Sequence, residues 1–124
     1  MRTTSTAEHP VEALRAQAER IDPRTVRIRL SGTLDWAHAD SARRVVDTIR
    51  DDPPRQLVID ATAVDECDAT GLAVVTAACF RVRTSGGSAI VRASPAVQRT
   101  VERCRLGRYL HVERRLRPGV TRRA

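Results

Sequence analysis

Aromatic side chains are nearly missing from this chain of 124 residues: Trp36, Phe80 and Tyr109 are the only three. So few rings leave little on which to stack the bases of a nucleic acid. Lysine is absent altogether, and all 22 basic residues are arginine. Arginine also follows codon usage, so its excess carries little weight by itself. No apolar run approaches the roughly 20 residues of a membrane helix. The opening MRTTSTAEHP lacks the apolar core of a signal peptide, which makes the cytoplasm the expected compartment. Cysteine occurs three times, as Cys67, Cys79 and Cys104. An odd number in an unexported chain argues against a disulfide framework and for reduced thiols. His9, His38 and His111 are scattered, and no Cys or His pair has ligand spacing, so no metal site is expected. A Walker-type phosphate loop is missing, no Ser/His/Asp or Cys/His arrangement can be argued, and no cofactor is implied. An enzyme is not expected.

What is present fits one soluble globular domain, with 41% apolar and 30% charged residues. That length buries a core without staples. The formal charge of +7 favours acidic partners, nucleic acid or an anionic surface.

Residues 1–23 read as an N-terminal arm. Within it, VEALRAQAER (11–20) has helix-forming composition but is followed closely by a turn at Pro23 and a strand, so a helix and the first arm of a hairpin both stay open. Val26, Ile28 and Leu30 alternate with Arg27 and Arg29, the period of a half-buried strand that Gly32 should end. From Asp35 to Asp51 a helix is expected, with Ala42, Val45, Val46 and Ile49 on one stripe. Asp40 and Ser41 could cap its regular part, or Asp35 an earlier start. Leu57-Val58-Ile59 suits a strand buried on both faces. Asp60, at its end, is expected to cap or bond the adjacent turn. A charged stretch, DECD, follows, and a second helix keeps Leu72, Val75, Cys79 and Val82 in register until SGG at 85–87. Ala89-Ile90-Val91 is another short strand. Ser94-Pro95 is a strong helix start, with Val97, Val101 and Cys104 as its stripe. Tyr109, Leu110 and Val112 could add an edge strand, and residues 113–124 read as a basic, mobile tail. Strands joined by helices imply parallel pairing and right-handed crossovers. The fold class is α/β, a mixed sheet of four to five strands packed by helices.

Three blocks, RLSGTLDWAHADSARRVV, LVIDATAVDECDATGLAVV and TSGGSAIVRASPAVQRTVERCRLGRYLHV, together resemble the STAS domain. That family comprises bacterial anti-sigma factor antagonists and the cytosolic domains of sulfate transporters. The resemblance runs over residues 24–112. The second block is similar to the family's Asp-Ser-Ser/Thr-Gly-Leu switch, whose serine is phosphorylated by the anti-sigma factor, itself a kinase. The unphosphorylated antagonist binds that kinase and frees the sigma factor. The resemblance therefore implies a partner with a serine-kinase-type fold. It places Asp35 and Asp68 on the docking and switch surface; Trp36, Asp65, Glu66, Thr70, Gly71 and Leu72, next to them in sequence, are the other candidate partner-binding residues. The acceptor position here is Ala69, which has no oxygen to receive a phosphate. Thr70 could substitute, though a plain first-turn hydroxyl weighs more.

Read without the family, Asp68 sits where an N-cap would, a role compatible with docking. Trp36 is either a lid on the core or an interface anchor. Cys67 and Cys104 could pair under oxidation, given the family's geometry, although burial of Cys79 and Cys104 as small apolar residues is the plainer reading. Two other functions stay open: a basic nucleic-acid-binding protein, which the missing aromatics disfavour, and a scaffold subunit of a larger STAS assembly, in which the chain could be a homo-oligomer.

Overall fold

The computed structural model of the chain describes residues 13–114. Five strands, β1 (Arg15–Asp22), β2 (Thr25–Leu34), β3 (Gln56–Cys67), β4 (Ser88–Ala93) and β5 (Val112–Arg114), form one sheet in sequential order. β1 and β2 are antiparallel; every later pair is parallel. The parallel crossovers carry α1 (Ala39–Val46), α2 (Ala69–Thr84) and α3 (Pro95–Arg103). Strands laid side by side in one direction, each joined by a right-handed crossover, put all three helices on the same face. The burial pattern agrees. Val26, Ile28, Leu57, Ile59, Ala89 and Val91 are buried, whereas their neighbours along the strands reach solvent. Opposite them α2 contributes Leu72, Val75, Cys79 and Val82, and α3 contributes Val97 and Val101.

For residues 11–20 the hairpin arm is the outcome where the chain is described. β1 pairs with β2 across a turn at Pro23 and Arg24, and the Asp22 carboxylate accepts from the Arg24 N–H at 2.8 Å. Helical propensity loses here because the edge of β2 offers a ladder of backbone partners and a cross-strand ion pair, Glu19 to Arg27 at 3.0 Å. Residues 1–12 of the arm and 115–124 of the expected tail lie outside the described residues; Glu113 and Arg114, assigned to that tail, are in β5.

Several expectations are corrected. Gly32 does not end β2. It takes φ +92° at a bulge, and the strand continues to Leu34. That extension supplies backbone partners to β3 as far as Cys67, so Asp65, Glu66 and Cys67 are strand residues and not a turn. The run at 57–59 is buried on one face only, and Val58 is half-buried, because no helix among the described residues covers the other side of the sheet. Asp60 consequently lies in mid-strand. Its Oδ1 accepts from the Thr62 hydroxyl at 2.7 Å and the Thr62 N–H at 3.1 Å at a second bulge. The helix expected over 35–51 is broken into a 3-10 turn (Trp36–His38), α1 and a second 3-10 turn (Asp47–Ile49). Asp35, not Asp40 or Ser41, provides its capping carboxylate.

Candidate functional site

β2 and β3 end side by side, Leu34 opposite Cys67, and each strand runs directly into a helical turn. Asp35 begins one turn and Asp68 the other. The Asp35 Oδ1 accepts from the His38 N–H at 3.1 Å and lies 2.7 Å from His38 Nδ1. Asp68 takes the N-cap position of α2 in extended backbone, and its Oδ1 accepts from the Gly71 N–H at 2.8 Å. Its second oxygen, Oδ2, accepts from the Trp36 N–H at 3.0 Å. One carboxylate thus caps its own helix and fastens the neighbouring turn. The Asp68 N–H closes the junction by donating to the Leu34 carbonyl at 3.1 Å.

Gly71 completes the seam. A Cβ there would stand 2.2 Å from the Leu34 carbonyl oxygen and 2.9 Å from the Asp35 nitrogen, so only glycine lets α2 lie this close to the end of β2. Gly71 and Leu72 are both buried, Leu72 completely, and seat the helix. The surface is made by exposed Asp65, Glu66, Ala69 and Thr70, with Trp36 standing 73% exposed beside them. The core-lid alternative for Trp36 is excluded by that exposure.

The Cys67 thiol is half-buried and points back along the seam, with Sγ 3.6 Å from the Asp68 carbonyl. Burial is the main cause that pushes it up to about 11, and Thr100, Asp68, Cys104 and Arg103 act on it more weakly. At neutral pH it is therefore a thiol, not the thiolate that oxidation favours. Cys67, Cys79 and Cys104 are all free. Cys79 is buried, as expected; Cys104 is only half-buried, at the end of α3.

Two contributors escaped the sequence reading. Thr100, fully buried in α3, donates to the Cys67 carbonyl at 2.8 Å and ties α3 to the end of β3. Its place on the Val97–Val101 stripe is the signal that marks it. His38, one of three histidines scattered through the sequence, stands three residues after Asp35, the spacing of a capped turn.

A small mixed α/β domain whose described helices lie on one sheet face, with a capped helix start displayed at the carboxyl ends of its parallel strands, is the class these features define. The STAS domain model matches residues 16–118, and the chain belongs to that family. No curated protein matches the chain. Among solved structures it is similar to an anti-sigma factor antagonist from Mycobacterium paratuberculosis, with 24% identity, 81% of this chain and 85% of that one covered, and a TM-score of 0.72. It is also similar to the unphosphorylated anti-sigma factor antagonist SpoIIAA, with 21% identity, 80% and 88% covered, and a TM-score of 0.66. RsbS from Moorella thermoacetica, as a point variant, gives 20% identity, 82% and 88% covered, and a TM-score of 0.64. These likenesses establish the fold. No helix among the described residues is long and apolar enough to cross a membrane.

Proposed function

We propose that the chain is an anti-sigma factor antagonist that docks on a kinase-type anti-sigma factor through the surface at the start of α2, and that it is held permanently in the binding form. It acts by binding, in the cytoplasm, and catalyses nothing. Family membership and the likeness to antagonists, one of them solved in both unphosphorylated and phosphorylated forms, support the role. The observation that carries the constitutive part is Ala69. It sits exposed at the first helical position, directly after the capping Asp68, where a kinase would look for a hydroxyl.

A phosphate there would be tolerated by the helix N-terminus and would add about −1.5 to −2 charge. Beside Asp65, Glu66 and Asp68 that charge would act on whatever docks. Ala69 closes this route. Thr70 is exposed and bears a hydroxyl, but it is one place further into the first turn.

The test is incubation with the cognate anti-sigma factor and ATP, followed by intact mass and a binding titration. The expected result is a complex and no mass gain. A stoichiometric gain mapped to Thr70 overturns the constitutive reading, and absence of any complex overturns the partner.

A further inference from the structure

Away from the start of α2, its middle and its C-terminal half form one wall of an open groove of about 520 Å³ against α1 and the 3-10 turn that follows it. The floor is apolar: Ile49 and Val74 are buried and Val46 is half-buried. On the α2 wall Ala73, Ala77 and Phe80 face solvent at helical spacing, Phe80 being 61% exposed. Solvent-facing alanines at i and i+4 let another backbone approach closely, and a ring three residues on gives it something to pack against. The rim carries Arg43, Arg50 and Arg81 against one carboxylate, Asp47. Arg50 and Asp47 stand 4.0 Å apart, and Arg43 pairs with Asp40. Arg81 has no ion pair among those found in the described residues.

We infer that this groove receives an acidic amphipathic helix of a partner protein. A helix laid between α1 and α2 places apolar residues at i, i+3, i+4 and i+7 on the floor and its flanking carboxylates on the arginine rim. The α2 wall from Ala73 to Thr84 is about 17 Å long at about 1.5 Å per residue, room for three turns. A second copy of this chain is disfavoured, because it would bring one arginine rim against another. A lipid surface is flat, and here only Phe80 stands out from a concave wall. The inference is independent of the docking role of Asp68 and Trp36, which lie at the opposite end of α2.

The test is selection of about 15-residue helical peptides, randomised in charge, from a display library against the full chain. Enriched peptides are then titrated by fluorescence anisotropy. The expected peptides are amphipathic and rich in Asp and Glu. Their affinity should fall about tenfold or more with Ala77→Glu and with Arg81→Glu, fall as salt rises, and stay unchanged with Trp36→Ala. Both substituted positions are exposed, so the variants should keep the wild-type melting curve. Enrichment of basic or non-helical peptides, or binding indifferent to both groove variants, overturns the inference. So does displacement of the peptides by anionic vesicles, or a dimer of the chain that the peptides dissociate in sedimentation.

Discussion

Asp68 holds two backbone N–H groups that belong to different elements, that of Gly71 in α2 and that of Trp36 in the preceding turn. Its removal therefore costs more than a simple cap. Loss of an N-cap is worth about 0.5–2 kcal/mol, and a second stranded N–H adds about 0.5–1.5 kcal/mol. Urea unfolding should show Asp68→Ala destabilised by about 1–3 kcal/mol, with Asp68→Asn much milder because the amide oxygen still accepts from Gly71. Equal losses for the two would show that the double acceptor contributes nothing. Trp36 makes the opposite case. Its backbone is fastened, but its ring is exposed, so its deletion should leave the melting temperature in place. In a binding titration with the anti-sigma factor, Trp36→Ala should cost more than about 1 kcal/mol. Unaltered affinity would remove the ring from the docking surface.

At the scale of elements, the seam between β2 and α2 depends on one missing methyl. Gly71→Ala drives a Cβ into the Leu34 carbonyl at 2.2 Å, and backbone cannot swing aside as a side chain can. Overpacking of this kind costs about 1–3 kcal/mol, and the helix start should shift as well. Chemical denaturation measures the first effect, and amide exchange at Ala69 to Leu72 the second; an alanine variant as stable as wild type would contradict the close approach. The motif was legible in sequence because its parts are local: an aspartate that caps, a glycine three residues on, an apolar run. The same holds for Ser94, whose hydroxyl accepts from the Val97 N–H. What stayed hidden depended on partners distant in the chain. The fate of 11–20 turned on the free edge of β2, the strand character of Asp65 to Cys67 turned on β2 continuing beyond Gly32, and Thr100 reads as core until Cys67 is found opposite its hydroxyl. The one-sided burial of 57–59 is of the same kind, since only the topology shows that all three crossovers fall on one face.

Across the described sheet, charges of both signs are interleaved. Along the sheet face that no described helix covers, the register sets Arg29, Asp60, Arg92 and Glu113 side by side, with signs alternating, and Arg92 pairs with Glu113 at 3.5 Å. A row of that kind offers no basic track to a phosphate backbone. The absence of lysine has a separate consequence, because no lysine side chains lose protons in the alkaline range. Burial raises both Cys67 and Cys79 from 9.0 to about 11. Between those values the unfolded chain has released thiol protons that the folded chain still holds, so stability is full below about pH 9 and falls as pH rises towards 11. For Cys79, almost completely buried, the limiting slope is about 1.4 kcal/mol per pH unit; for Cys67, half-buried, solvent screening makes it smaller. Urea midpoints should accordingly be flat up to pH 9 and decline above it. Cys79→Ala should lower the plateau and flatten the decline, and adding Cys67→Ala should flatten it further. A double variant that declines as steeply as wild type would assign the alkaline loss to groups other than these buried thiols.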